Sequence, residues 1–301
     1  PGFLRPGEVG SVMGGALAPS ASLGVDSAVG FHPGRRLMSA SGTGIAQSVD
    51  SVDVVVVGAG PNGLTAAAVL ARAGLSVHVI EAAEVIGGGT RSEELTVAGL
   101  VHDVCSAVHP FGVASPVFSE LGLERHGLTW RHAPVDVAHP LDGGRAGILL
   151  RSVADTASGL GPDGARWAST FAPLADRALE LADDILGPVV HLPRHPLAMA
   201  RFGVSALQSA SLVARRWRTP ETRALFAGVA AHVYRPLHQP LTASAAMMFI
   251  AQGHRHGWPV AEGGSRAITD ALASLVTSLG GTIETGREVR TLDDLPPHRV
   301  A

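Results

Sequence analysis

Three glycines at fixed spacing, in the run Gly58-Ala59-Gly60-Pro61-Asn62-Gly63, are the residues here most able to do chemistry. They follow Asp53-Val-Val-Val-Val57, a short apolar run of the kind buried on both faces of a parallel sheet. In such a turn the first glycine permits a tight bend and the second lets the backbone approach a pyrophosphate. The third allows a helix to pack closely on the strand. The alanine-rich stretch from about Asn62 to Ala73, closed by Gly74, predicts that helix. Its free N–H groups and positive dipole end would face the phosphates. Leu75 to Ile80 predicts a second strand ending at Glu81, eighteen residues after Gly63. That is close to the roughly twenty residues expected for an acid on an adenosine ribose. A carboxylate there repels a 2′-phosphate, so FAD or NAD is expected rather than NADP.

A second glycine cluster follows at once: Gly87-Gly88-Gly89-Thr90-Arg91-Ser92. With it the chain resembles the phytoene desaturase and amine oxidase group of flavoproteins, in which the second strand leads into GG-R-x-x-S/T. Gly89 stands where that motif has arginine, Ser92 fits, and Arg91 would supply the displaced charge. The segments Asp103-Val-Cys-Ser-Ala-Val-His-Pro110 and Trp258-Pro-Val-Ala-Glu-Gly-Gly264 extend the resemblance, which runs from about 51 to 301. It is greatest to the branch that includes the pyridine nucleotide-disulfide oxidoreductase domain-containing protein 2. The resemblance implies FAD as cofactor, held by Gly58, Gly60, Pro61, Asn62, Gly63, Glu81, Gly87, Gly88, Arg91 and Ser92. The backbone of Val289, at the end of a late strand, would meet the adenine. It further implies hydride transfer from a substrate C–H to the flavin, including desaturation of an apolar, carotenoid-like molecule. An amine-oxidase-like activity and a non-catalytic FAD-binding regulatory protein are the rival readings. Family members are longer, so the chain is expected to lack the C-terminal part of the flavin site and to be inactive alone.

Other side chains are weaker candidates. His254, Arg255, His256 and Trp258 cluster before the Gly263-Gly264 turn and could line a substrate face, where a histidine would move protons near neutral pH. His232, Tyr234 and Arg235 form a second such group. No catalytic residue is assigned. Cys105 is the one cysteine, so a dithiol relay within this stretch is excluded; it reads as a small buried core residue or, less simply, a flavin tether.

Composition narrows the field further. All 23 basic residues are arginine, which removes P-loop and Schiff-base lysine chemistry. The 14 histidines show no HExxH spacing and no Cys/His cluster, so no metal is expected. A net charge of −3 without a basic stripe argues against nucleic acid. No apolar run reaches the length of a transmembrane helix. A small, apolar substrate and a cytoplasmic location are expected, with peripheral membrane contact as an open variant.

These residues need an α/β architecture: a Rossmann-like FAD-binding domain built from 51–115 and 256–301, with a mainly helical substrate-region insertion at 116–255. Residues 1–50, rich in Gly, Ser, Pro and Ala, read as a disordered leader. Within the insertion, Gly147–Leu150 predicts a strand, and Arg166–Leu186 and Val204–Trp217 each predict a helix. After Gly264 the pattern predicts a helix to Leu279, then strands at 282–284 and 288–291.

Overall fold

The computed structural model describes residues 51–188 and 191–301. The expected leader at 1–50 lies outside the described residues. Strand β1 (Val52–Val57) enters helix α1 (Pro61–Arg72), and the chain returns as β2 (Val77–Ile80). Short antiparallel strands β3 (Ser92–Glu94) and β4 (Val101–Asp103) follow, then helices α2 (Pro110–Val113) and α3 (Pro116–Leu121). After β5 (Trp130–Arg131), a hairpin forms from β6 (Val137–Leu141) and β7 (Arg145–Leu149). The helical region comprises α4 (Val153–Gly159), α5 (Gly164–Ala175), α6 (Ala178–Ile185) and α7 (Pro196–Ala206). It continues with α8 (Ala210–Ala214), α9 (Pro220–Ala230) and α10 (Ala243–His256). Strand β8 (Val260–Ala261) then pairs with β5, before α11 (Arg266–Ser278), β9 (Thr282–Glu284) and β10 (His298–Val300).

The expected α/β class is what forms. One four-stranded parallel sheet has the order β10-β1-β2-β9, so its outer strands come from the end of the described chain and its centre from the beginning. Val54, Val77 and Val79 pack one face of β1 and β2 against α1 and α11, whereas Val57, at the end of β1, is exposed. Val54, Val79, Leu64, Ala67 and Ala68 share one apolar core with Ile268 and Leu272 of α11. A second core gathers the long helices around Trp167, Phe171, Leu181, Phe226, Met247 and Ile250.

Three expected elements differ, each for a local reason. The stretch 166–186 is two helices: Pro173 removes one helical N–H, and at Arg177 the backbone leaves the helical region (φ −113°, ψ 23°). The stretch 204–217 is interrupted because the Ser209 hydroxyl accepts from the Leu212 N–H at 3.3 Å and starts α8 afresh. No strand forms at 288–291. The Asp294 carboxylate takes the N–H groups of Arg290 and Thr291, both at 2.8 Å, and withdraws them from any ladder. Val289 therefore sits in an irregular segment, and the strand beside β1 is β10.

The start of α5 is fastened to the start of α9 by one carboxylate. Asp163, 1% exposed, accepts from the backbone N–H groups of Arg218 and Thr219 at 2.8 Å each and from the Thr219 hydroxyl at 3.0 Å. Burial pushes this carboxyl up, but the hydrogen bonds from Thr219 and Arg218 outweigh it and hold the group below the usual aspartate range. A depressed folded value contributes stability that is present above about pH 4, the unfolded value, and is lost as pH falls through the lower folded value. Asp163→Asn, which turns an N–H donor toward these amides, is expected to lower stability by roughly 1–3 kcal/mol at pH 7. Denaturant titration should show that difference shrinking below about pH 4.

Candidate functional site

The site is built where the carboxyl ends of β1 and β2 meet the amino end of α1, the place where open α/β sheets take ligands. Gly58 leaves β1 at φ +99°, a left-handed conformation that disfavours side chains, and its N–H donates to the Ile80 carbonyl at 2.7 Å. Gly60 precedes the helix, and Pro61 occupies its first position, where the missing N–H breaks no bond. The amides of Asn62 and Gly63 lie in the first turn, where a helix has no internal acceptor for them. Gly63 has a separate task. A Cβ there would lie 2.0 Å from the Gly58 carbonyl oxygen, so only glycine lets α1 seat against the turn.

Glu81 closes the βαβ unit. Its carboxylate accepts from the Ala59 N–H at 2.7 Å and the Ala83 N–H at 2.9 Å, which fixes it beside the glycine turn. It is half-buried, and each oxygen keeps a lone pair for a further donor.

The second glycine cluster folds directly against the first. The Gly87 N–H donates to the Ala59 carbonyl at 2.9 Å. Gly88 has φ +50°, and a Cβ on it would lie 3.1 Å from Gly60 Cα. Two side-chain-free backbones thus make one surface. Arg91 is half-buried, and its Nε donates to the Gly88 carbonyl at 3.2 Å, which holds the guanidinium over this loop.

Ser92 belongs to a different arrangement. It is 8% exposed, and its hydroxyl donates to Asp103 Oδ1 at 2.6 Å while accepting the Arg266 N–H at 3.1 Å. The same Asp103 oxygen accepts the Ser265 N–H at 2.7 Å. Ser265 is fully buried, donates its hydroxyl to the Ser106 carbonyl at 2.5 Å, and lies 2.7 Å from His109 Nε2. Because the serine proton is already committed, His109 Nε2 carries a proton and donates. Burial lowers the His109 pKa, with a smaller opposing effect from the Asp103 charge. The knot Ser92–Asp103–Ser265–His109 holds the start of α11 against the second glycine loop. Thr90 adds to it, donating to the Gly87 carbonyl at 2.8 Å beside Thr269 of α11. Sequence reasoning missed Ser265 and Thr269. The available signal was their position just after the Gly263-Gly264 turn, where Gly264 has φ +95° and a Cβ would lie 2.7 Å from Ser92 Oγ.

The other candidates are placed elsewhere. His254 is 7% exposed, lies 3.1 Å from the Arg151 carbonyl through Nδ1 and accepts the Trp167 indole N–H at 2.9 Å. Burial holds its pKa low, and it serves the helical core rather than a substrate face. Trp258 is buried against Phe249 and His232, whose Nδ1 lies 3.0 Å from the Val229 carbonyl. Arg255 and Tyr234 are exposed. Cys105, expected as a small core residue, is exposed, since the turn after β4 faces solvent. Val289 is half-buried beyond Arg287, whose N–H donates to the Glu81 carbonyl at 3.0 Å. No group of three or more metal-ligating side chains occurs among the described residues, and no described helix is long and apolar enough to cross a membrane.

Residues 56–121 match the family model of an NAD(P)-binding Rossmann-like domain. The chain is 29% identical to hydroxyneurosporene desaturase from Rubrivivax gelatinosus over 249 residues, 75% of this chain and 45% of that protein. It is 27% identical to the pyridine nucleotide-disulfide oxidoreductase domain-containing protein 2 of Rattus norvegicus over 283 residues, 79% of this chain and 48% of that protein. Wild-type putrescine oxidase bound to putrescine shares the fold, with a TM-score of 0.50 at 20% identity over 78% of this chain and 51% of that one. The chain spans about half the length of the curated relatives it matches.

The two glycines of the turn separate experimentally. Gly63→Ala is expected to cost roughly 1–3 kcal/mol through the clash with the Gly58 carbonyl. Gly60→Ala meets nothing closer than Gly88 Cα at 3.8 Å and should leave unfolding in denaturant within about 0.5 kcal/mol of the parent.

Proposed function

We propose that this chain, which resembles the phytoene-desaturase-like flavin oxidoreductases, is the dinucleotide-binding part of an FAD-dependent enzyme that removes hydride from a substrate C–H. The supporting observation is the contact of Gly60 with Gly88, which clears one backbone surface at the amino end of α1 with Glu81 beside it. Residues 51–115 and 256–301 form the cofactor domain in this reading, and 116–255 the substrate region.

The residues present fit the cofactor. Gly58, Gly60, Pro61 and Gly88 leave room for a diphosphate, and the amides of Asn62 and Gly63 would donate to it with the helix dipole behind them. Gly87 anchors the second loop to the first, and Arg91 adds positive charge. Glu81 would accept from ribose hydroxyls of a bound FAD, and the backbone at Val289 would face its adenine. Ser92 acts as a positioning residue, through Asp103 and the start of α11. FAD supplies, when bound, the two-electron acceptor; the protein's share is binding, orientation and exclusion of water. The substrate is a small, apolar molecule of carotenoid type, favoured over an amine because the sequence relatives include a desaturase. The protein works in the cytoplasm, with contact to a membrane surface where such substrates dissolve.

The test is the absorbance spectrum of the whole protein and of this chain with added FAD. Visible flavin bands are expected to stay with the whole protein after unbound FAD is removed, and there they should bleach anaerobically with a polyene precursor but not with primary amines. Gly60→Ala, which spares the fold, should weaken FAD binding at least about tenfold, the effect of losing about 1.4 kcal/mol of contact. A whole protein that binds no flavin would overturn the assignment.

A further inference from the structure

A second concavity lies in the helical region, and its chemistry differs from that of the glycine surface. It is an open concavity with a volume of about 490 Å³, bordered by α5, α7, α8 and the residues just after α8. Val213 and Trp217 form its apolar floor, both buried. Arg166 and Arg216 stand at its exposed rim, with Ser205 between floor and rim. No acidic side chain lines it.

The two arginines are not neutralised. Neither forms an ion pair among the described residues. Arg216 is nevertheless held in place: Nη1 donates to Ser205 Oγ at 3.2 Å and Nη2 to Gln208 Oε1 at 2.7 Å. Both acceptors are neutral, so the guanidinium is oriented while its charge stays uncompensated. The Ser169 and Thr170 hydroxyls donate to the Arg166 carbonyl at 3.0 and 2.8 Å, so their protons are committed. The Ser205 hydroxyl proton has no acceptor among the described residues, and Ser205 is 9% exposed. The cavity therefore offers two cationic forks and one free O–H donor above an apolar, aromatic floor.

We propose that this cavity binds a phosphate-class oxyanion attached to a small apolar or aromatic body. The planar fork of arginine matches such an oxyanion with paired N–H donors. The tryptophan floor accepts the uncharged remainder. The site shares no residue with the glycine loops and stands whether or not FAD is the cofactor there. A free phosphorylated metabolite and a phospholipid headgroup present the same chemistry.

The first probe is inorganic phosphate, titrated against the full chain and followed by ³¹P line broadening. Binding should be unchanged in Gly60→Ala, which weakens the glycine surface. It should weaken roughly tenfold in Arg166→Gln and again in Arg216→Gln, as expected for loss of a charge-assisted hydrogen bond. Arg290→Gln, an equal charge change at a residue paired with Glu288, should leave it unaltered. Each variant's thermal unfolding would be recorded to show that the fold is kept. Co-sedimentation with phosphatidylglycerol vesicles separates the two sources. Phosphate binding with vesicle binding that also falls in both arginine variants identifies a headgroup, and phosphate binding alone identifies a free ligand. Phosphate binding that is absent, or that ignores Arg166 and Arg216, overturns the proposal, as does vesicle binding without phosphate binding.

Discussion

The contact of Gly63 with the Gly58 carbonyl governs the geometry of the rest of the site. Helix α1 sits as close to the end of β1 as backbone permits, and a single methyl at position 63 would intrude to 2.0 Å. That closeness sets where the first turn of α1 points its unpaired amides. It also sets where Ala59 lies, and Ala59 in turn receives two partners: its N–H is taken by Glu81, and its carbonyl takes the N–H of Gly87. The second glycine loop is therefore hung from the first by backbone hydrogen bonds. Displacing α1 would disturb the acid at the end of β2 and the loop after it together.

A polar knot supports this surface from behind. Asp103 ties Ser92 to the start of α11, and His109 and Ser106 hold Ser265 from the other side. Each buried donor in the group has an acceptor, the condition under which a buried polar network adds rigidity rather than cost. The helical region is pinned by the same device at a different place, where the Asp163 carboxylate gathers two backbone N–H groups at the start of α9. Histidine has a related use in that region. His254, between the Arg151 carbonyl and the Trp167 indole, satisfies polar atoms inside an aromatic core. A residue type associated with proton transfer thus serves packing, because burial disfavours its charged form.

The parts of this protein legible in its sequence were those with short-range physical causes. The run of valines from Val54 to Val57, the spacing of Gly58, Gly60 and Gly63, and the placing of Glu81 after a second apolar strand all lie within about thirty residues. Sterics at glycine and burial on both faces of a parallel sheet act on such a span without help from distant residues. The α/β class followed from them. The helix breaks near Arg177 and at Ser209 were obscured because apolar periodicity continued through them, while the backbone left the helical region at Arg177 and one hydroxyl restarted the helix at Ser209.

What only the tertiary structure decided involves residues far apart in the chain. The pairing of β10 with β1 rather than a strand at 288–291 depends on Asp294 capturing two amides. The touching of Gly60 and Gly88, the convergence of Ser92, Asp103 and Ser265, and the burial of His254 beneath Trp167 join positions separated by up to 173 residues. No local pattern encodes such neighbours, because a side chain's chemistry follows from its burial and its partners, and both are set when the cores close. The sequence by itself determined that a dinucleotide-type turn would form. The fold decided which side chains line that turn and which were drawn into the core.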